Sequence, residues 1–422
     1  MLNRWRDRLD RVLTWKRART YALVLVALYV VAWVDVLVLG SPPLNSSGTP
    51  IGGDYIAFHT AGRLVLSGHA AELYDHSAVS GVEASLLGGR SPNFYDAYRN
   101  PPFFAALFVP LAPLDLLSGF GVYSLLSVVG LGLAVWLLMQ ETPWLRSRWR
   151  GLAVLLAAFP PLYFGLIDGE NATISLLLYV LIYRSLARGQ DRAAGAWAAL
   201  GLFKPQLFFV FPLVFLISRR WRALSAYALV ALALLGVSLL MVGPDGFSAW
   251  LRILLEPESG NARANAWRMA SLKSFFDLLV PSNSSLSLGL YALASLALLI
   301  PLLRSWSRSV ACLPALWAWT SLVAVLLDPH LVDYDLTVLV AAAVLATRLA
   351  PPLRWPIVLV YFVSLFRAQL PIGDASVQFT VPLLALCALL VARAHGLASH
   401  HSAPHERVPR AVPAEAVSAG VD

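Results

Sequence analysis

The run Gly53-Asp54-Tyr55-Ile56-Ala57-Phe58-His59 sets a carboxylate and an imidazole just past the first long apolar stretch, Tyr21 to Leu39. A carboxylate at such a boundary is suited to take the proton of a hydroxyl group. Other ionisable residues collect between later apolar runs: Asp168 and Glu170 beside Asn171, Lys204 before Pro205, then Arg263, Arg268 and Lys273. His330, Asp333, Tyr334 and Asp335 follow. Charges near bilayer depth are costly and point to function by default. This inventory suits group transfer from a lipid phosphate, in which a carboxylate deprotonates the acceptor while cations and backbone donors hold the phosphate leaving group.

Each residue also has a plainer reading. Asp54 is a favoured residue type for capping a helix that starts at Tyr55. His59 suits packing or hydrogen bonding better than proton transfer. Lys204 is long enough to snorkel to an interface, although a place between two short apolar segments favours a phosphate role. A helix beginning near Pro329 would put His330, Asp333 and Tyr334 on one face through i, i+3 and i+4 spacing.

The elements that position these residues are membrane helices. The chain has 422 residues, of which 58% are hydrophobic and 13% charged, with a mean hydropathy of +0.68. Soluble chains run at about 45–50% apolar and about 25% charged. An all-α polytopic membrane protein is expected, with about 10–12 transmembrane segments of roughly 20 residues. The net charge of +8 is read as topology and not as nucleic-acid binding, because basic residues cluster in short loops. The first apolar run is too long for a cleaved signal peptide. Cys312 and Cys387 fall in apolar stretches, so buried thiols are expected and no disulfide framework.

Arg4, Arg6, Arg8, Arg11, Lys16, Arg17 and Arg19 place residues 1–20 in the cytoplasm by the positive-inside rule. Residues 21–395 form the transmembrane domain, with external loops at about 40–100, bearing short amphipathic helices, and at about 243–285. Residues 396–422 read as a disordered cytoplasmic tail; a metal site at His400, His401 and His405 is disfavoured. Between Arg192 and the cluster Arg219, Arg220 and Arg222 the apolar run is broken at Lys204-Pro205-Gln206. Both flanks are basic, so the segment enters and returns as two short or re-entrant helices with Lys204 at the apex.

Four places in this order resemble glycosyltransferase family 87. They are Gly53-Asp54-Tyr55 with Leu66-Ser67-Gly68 and Leu73-Tyr74-Asp75; Tyr98-Arg99-Asn100-Pro101-Pro102 with Leu111-Ala112-Pro113-Leu114; Gly169-Glu170-Asn171 with Gly195 and Lys204-Pro205; and Ala270-Ser271-Leu272 followed by His330 and Tyr334. The chain departs from the family pattern at Glu170, where Gln is usual, at Asn100, where an aromatic is common, and at Met269-Ala270-Ser271-Leu272, where an Asn-Gln-Ser-Leu type motif is expected.

The resemblance implies a C-type glycosyltransferase fold and transfer of a hexose, mannose above others, from a polyprenyl-phosphate-linked donor to a lipid or glycan hydroxyl at the outer face of a bacterial plasma membrane. It implies that Asp54 is the general base of an inverting reaction. Lys204, Arg268, His330, Tyr334, Glu170 and Asn171 are the donor-side candidates, and Tyr55, His59 and Arg99 the acceptor-side ones. Membrane lipids are the expected surroundings. No nucleotide-binding glycine loop or tight metal-ligand spacing is evident, so neither cofactor nor metal is expected. The rival classes are a transporter or flippase, with the same charges lining a substrate path, and a noncatalytic membrane scaffold. Against a transporter stand the lack of an internal repeat and the gathering of charges at one face.

Overall fold

The computed structural model describes residues 14–90, 97–255, 266–308, 312–347 and 353–401. The remaining segments, including Arg263 and most of the expected tail, lie outside the described residues. Helices dominate, in keeping with an all-α polytopic membrane protein.

In chain order these are α1 (Trp15–Leu39), α2 (Tyr55–Leu66), α3 (His76–Leu86), α4 (Leu116–Glu141), α5 (Trp149–Ala157), α6 (Pro160–Ile167), α7 (Ala172–Ala187), α8 (Asp191–Leu200) and α9 (Val210–Ile217). There follow α10 (Trp221–Leu255), α11 (Leu272–Leu279), α12 (Ser284–Arg308), α13 (Leu313–Leu327), α14 (Leu339–Ala346), α15 (Arg354–Phe366) and α16 (Thr380–His401). One antiparallel hairpin, β1 (Gln369–Ile372) with β2 (Ala375–Gln378), joins the last two.

Among the described residues four helices have the length and composition to cross a membrane, lying within α1, α4, α10 and α12. The pair α5 and α6, bent by 61° before Pro160-Pro161, makes a fifth if counted as one broken span. Five further apolar helices are shorter, at 10–17 residues. The expectation of about 10–12 spans is approached only if these short helices cross as well.

The long helices are apolar on every side, and much of that surface is outward. Leu240 is 87% exposed, Leu229 71% and Leu293 68%. In water such surface would drive association; in a bilayer it is solvated by lipid. By contrast, α13 is buried along nearly its whole length and forms the axis of the core.

Helix α10 does not run unbroken: Gly243, with φ +69° and ψ 177°, separates a limb ending at 242 from a second limb that runs to Leu255 within the expected external loop. Pro244 takes the start of the second limb, where a missing N–H costs no helical bond. The helix expected from Pro329 also does not form. Asp328 takes the backbone N–H of His330 on its Oδ1 at 2.8 Å, and Val332 is extended and bridged to Met269. Only a six-residue 3₁₀ segment, Asp333–Val338, follows, so His330 does not share a helical face with Asp333 and Tyr334.

The broken segment around Lys204 is a returning pair. Helix α8 leads through a 3₁₀ turn, Gly201–Phe203, to Lys204, which has φ −128° and ψ 70°; Pro205–Phe208 and α9 lead back. The two ends meet, with Arg220 Nη1 2.6 Å from Asp191 Oδ1.

Candidate functional site

Backbone contact between two glycine turns builds the site. Gly53 has φ +49° and Gly169 φ +65°, a region that favours glycine. A Cβ on Gly53 would meet Asp168 Cα at 2.9 Å, and one on Gly169 would meet Tyr55 Cβ at 2.5 Å. Only two hydrogen side chains allow the turn before α2 to press against the turn between α6 and α7. Asp54 is thereby brought beside Asp168 and Glu170.

Asp54 stands at the N-cap of α2, yet its side chain makes no capping hydrogen bond there. Its carboxyl is instead hydrogen-bonded to Glu170, and it lies within the field of Arg268.

The neighbouring charges come from three other segments. Lys204 Nζ donates to Asp335 Oδ1 at 2.7 Å and lies 3.6 Å from Glu170 Oε2. It also sits 5.0 Å from the centre of the Tyr334 ring, and the Tyr334 hydroxyl hydrogen-bonds Glu170. Burial alone would raise the Glu170 carboxyl. The Lys204 ammonium, the contact with Asp54 and hydrogen bonds from Tyr334 and the Asn171 backbone outweigh burial and bring it below its ordinary value.

Arg268 Nη2 approaches Asp168 Oδ2 at 3.8 Å. Burial pushes the Asp168 carboxyl up to about 6, although Arg268 opposes the rise. Arg268 is held by a frame that includes the hairpin: Gln369 Nε2 donates to Trp267 O at 2.8 Å, and Gln378 Nε2 to Ala266 O and Met269 O, each at 2.8 Å. A capping box of Ser271 and Ser274 starts α11 immediately behind it. Arg367 closes the cluster on one side. Its guanidinium pairs with Asp333 Oδ2 and lies against Phe164 and Trp267.

The structure therefore unites Asp54, Glu170, Asn171, Lys204, Arg268 and Tyr334. Asn171 adjoins Glu170, and its side-chain oxygen and nitrogen are buried with no hydrogen-bond partner. His330 lies at the margin, within electrostatic reach of Asp328 and Asp335.

Tyr55 and His59 are fully buried. Tyr55 OH and His59 Nδ1 are 3.2 Å apart, and Tyr55 packs among Phe108, Phe120 and Tyr123. Arg99 donates to Ile253 O at 3.3 Å. Its neighbour Asn100 donates to Phe203 O at 2.9 Å and accepts from Tyr74 OH at 2.7 Å, tying the segment before Pro101 to the Lys204 turn.

Sequence reasoning gave no role to Arg367. The available signal was its position at the far end of α15 from Arg354, where the positive-inside pattern calls for no arginine.

A polytopic helical protein with a buried carboxylate–cation cluster at one end of its bundle is framed for chemistry on a membrane-borne substrate. The family model for glycosyltransferase family 87 matches residues 98–332, more than half of the chain. The chain belongs to that family and is a membrane glycosyltransferase. The matched span holds Glu170, Lys204, Arg268 and His330; Asp54 precedes it, and Tyr334 and Asp335 follow. No curated protein and no solved structure matches the chain.

Proposed function

We propose that the enzyme transfers a hexose, mannose first among the candidates, from a polyprenyl-phosphate sugar to a lipid or glycan hydroxyl. The reaction would run at the outer face of a bacterial inner membrane, in a C-type glycosyltransferase architecture with both termini in the cytoplasm. The observation that carries this reading is the Asp54 carboxyl. It stands at the cap of α2 without capping it and joins Glu170 in a cluster with Lys204 and Arg268.

The acceptor oxygen attacks the anomeric carbon on the face opposite the phosphate. As the new C–O bond forms, the hydroxyl proton passes to Asp54. The bond from the anomeric carbon to the phosphate oxygen breaks, and its electron pair leaves with polyprenyl phosphate. The configuration at carbon is inverted.

Lys204 is engaged by two carboxylates, so its main effect is to hold Glu170 and Asp335 in place and to accept charge as the phosphate departs. Arg268, about one-third exposed and only loosely paired, makes the first phosphate contact. Tyr334 orients Glu170, and His330 lies where a sugar or phosphate edge would pass.

The test is transfer by purified protein from radiolabelled polyprenyl-phosphate mannose to a membrane-lipid extract, with wild type beside Asp54→Asn. A labelled product that vanishes in the variant supports both enzyme and base. A product that survives keeps the enzyme and removes Asp54 from its role. Failure with every polyprenyl-phosphate sugar, alongside donor movement across liposomes, would favour a flippase.

A further inference from the structure

A cavity of about 250 Å³ lies where α1, α5, α13, α14, α15 and α16 meet. It exceeds the ~150 Å³ apolar cavity that suffices to bind benzene. It is remote from the carboxyl cluster: Phe159, on its wall, is separated from Asp168 by the whole of α6, about 12 Å at ~1.5 Å per residue.

The walls are aliphatic and aromatic, and the hydroxyls among them are already spent. Tyr361 OH donates to Leu155 O at 3.0 Å and Thr347 Oγ1 to Val344 O at 3.3 Å. One described lining residue is charged, Arg148, and it stands with Trp15 and Trp144 at the basic end of the bundle. Arg146 and Arg150 flank it in sequence, and no carboxylate among the described residues lines the cavity. The nearby Glu141 is taken by Arg184 and Arg188. An apolar slot with an arginine and two tryptophans at its edge has the chemistry of a lipid site, the tryptophans suited to the interface and the arginine to a phosphate.

We propose that this cavity holds one acyl chain of an anionic phospholipid from the surrounding membrane, with the lipid phosphate on Arg148. The donor's prenyl tail is the poorer occupant, because its phosphate must reach the carboxyl cluster beyond α6. The chain's own N-terminal sequence is poorer still, since Arg4, Arg6, Arg8 and Arg11 outnumber Asp7 and Asp10 and leave it with a net positive charge facing Arg148. The site is independent of the sugar transferred.

Native mass spectrometry of the full chain released from mild detergent reads the occupant directly. Wild type is expected to retain one anionic phospholipid per chain. Ala343→Phe, which places a ring in the cavity, is expected to reduce retention at least tenfold while the protein remains folded. Arg148→Glu changes an exposed residue and safeguards the test should the first variant fail to fold; its expected effect is loss of the preference for anionic headgroups. Absence of lipid in wild type, retention of an isoprenoid instead, or unchanged anionic lipid in the variant that folds would each overturn the proposal.

Discussion

Lys204 shows how much one buried charge organises. Its ammonium lies between Asp335 and Glu170, all three nearly buried. Removing one member of such an arrangement leaves like charges uncompensated and costs about 3–5 kcal/mol. Lys204→Met is therefore expected to lower the thermal unfolding midpoint in detergent markedly, and adding Asp335→Asn should restore much of the loss without restoring transfer. A single variant as stable as wild type would mean that the cluster is solvated.

Asp168 supplies a second prediction, with a definite sign. Its ordinary value of 3.8 rises to about 6 in the fold, so between these values the folded state binds more proton than the unfolded one. Its contribution to stability is favourable at the acid end and is lost as pH climbs through 6. Ionisation also gives Arg268 a closer rival to the donor phosphate. The donor KM should rise between pH 5 and pH 7.5, and Asp168→Asn should flatten that rise. An equal slope in the variant would detach Asp168 from donor binding.

At the scale of elements, the close approach of two turns is the feature most open to a single methyl group. Gly169→Ala would place a Cβ 2.5 Å from Tyr55 Cβ in a left-handed backbone, pushing the turn that carries Glu170 away from Asp54. Transfer should fall by at least tenfold at saturating donor. Gly68→Ala is the control: its φ is +82° but nothing lies within 4 Å, so it carries the left-handed backbone cost of about 1–2 kcal/mol without displacing the site. Equal losses in both variants would trace the defect to backbone strain alone.

These elements were unevenly legible in the sequence. The returning pair at Lys204 could be read because basic flanks and a proline break constrain a short apolar run. The turn Asp168-Gly169-Glu170-Asn171 could be read because it parts two apolar segments. The 3₁₀ segment at Asp333 could not: its backbone is diverted by Asp328 and by the bridge from Val332 to Met269, and neither is visible as periodicity. The pairing of Arg367 with Asp333 was hidden for the same reason, since it joins segments distant along the chain. The break at Gly243 was marked by Gly243-Pro244, but the second limb to Leu255 was not separated from the external loop.

Across the whole molecule the charges sort by end. Helices α7, α12 and α15 carry Arg184, Arg308 and Arg354 at one end, while α6, α13 and α15 deliver Asp168, Asp328 and Arg367 to the other. The ion pairs of Glu141 with Arg184 and Arg188 and of Asp191 with Arg220 belong to the first end, and the carboxyl cluster to the second. If the positive-inside rule orients this chain, the cluster faces away from the cytoplasm, where a lipid-linked sugar and not a soluble nucleotide sugar would have to be the donor. Ser47, before Asp54, and Ser147, among the arginines, are both exposed and report on the two ends. In a background with Cys312 and Cys387 replaced by serine, Ser47→Cys in intact cells should react with a membrane-impermeant maleimide, and Ser147→Cys only after permeabilisation. The reverse pattern would turn the carboxyl cluster toward the cytoplasm and remove the argument for a polyprenyl-phosphate donor, while leaving membership of the family untouched.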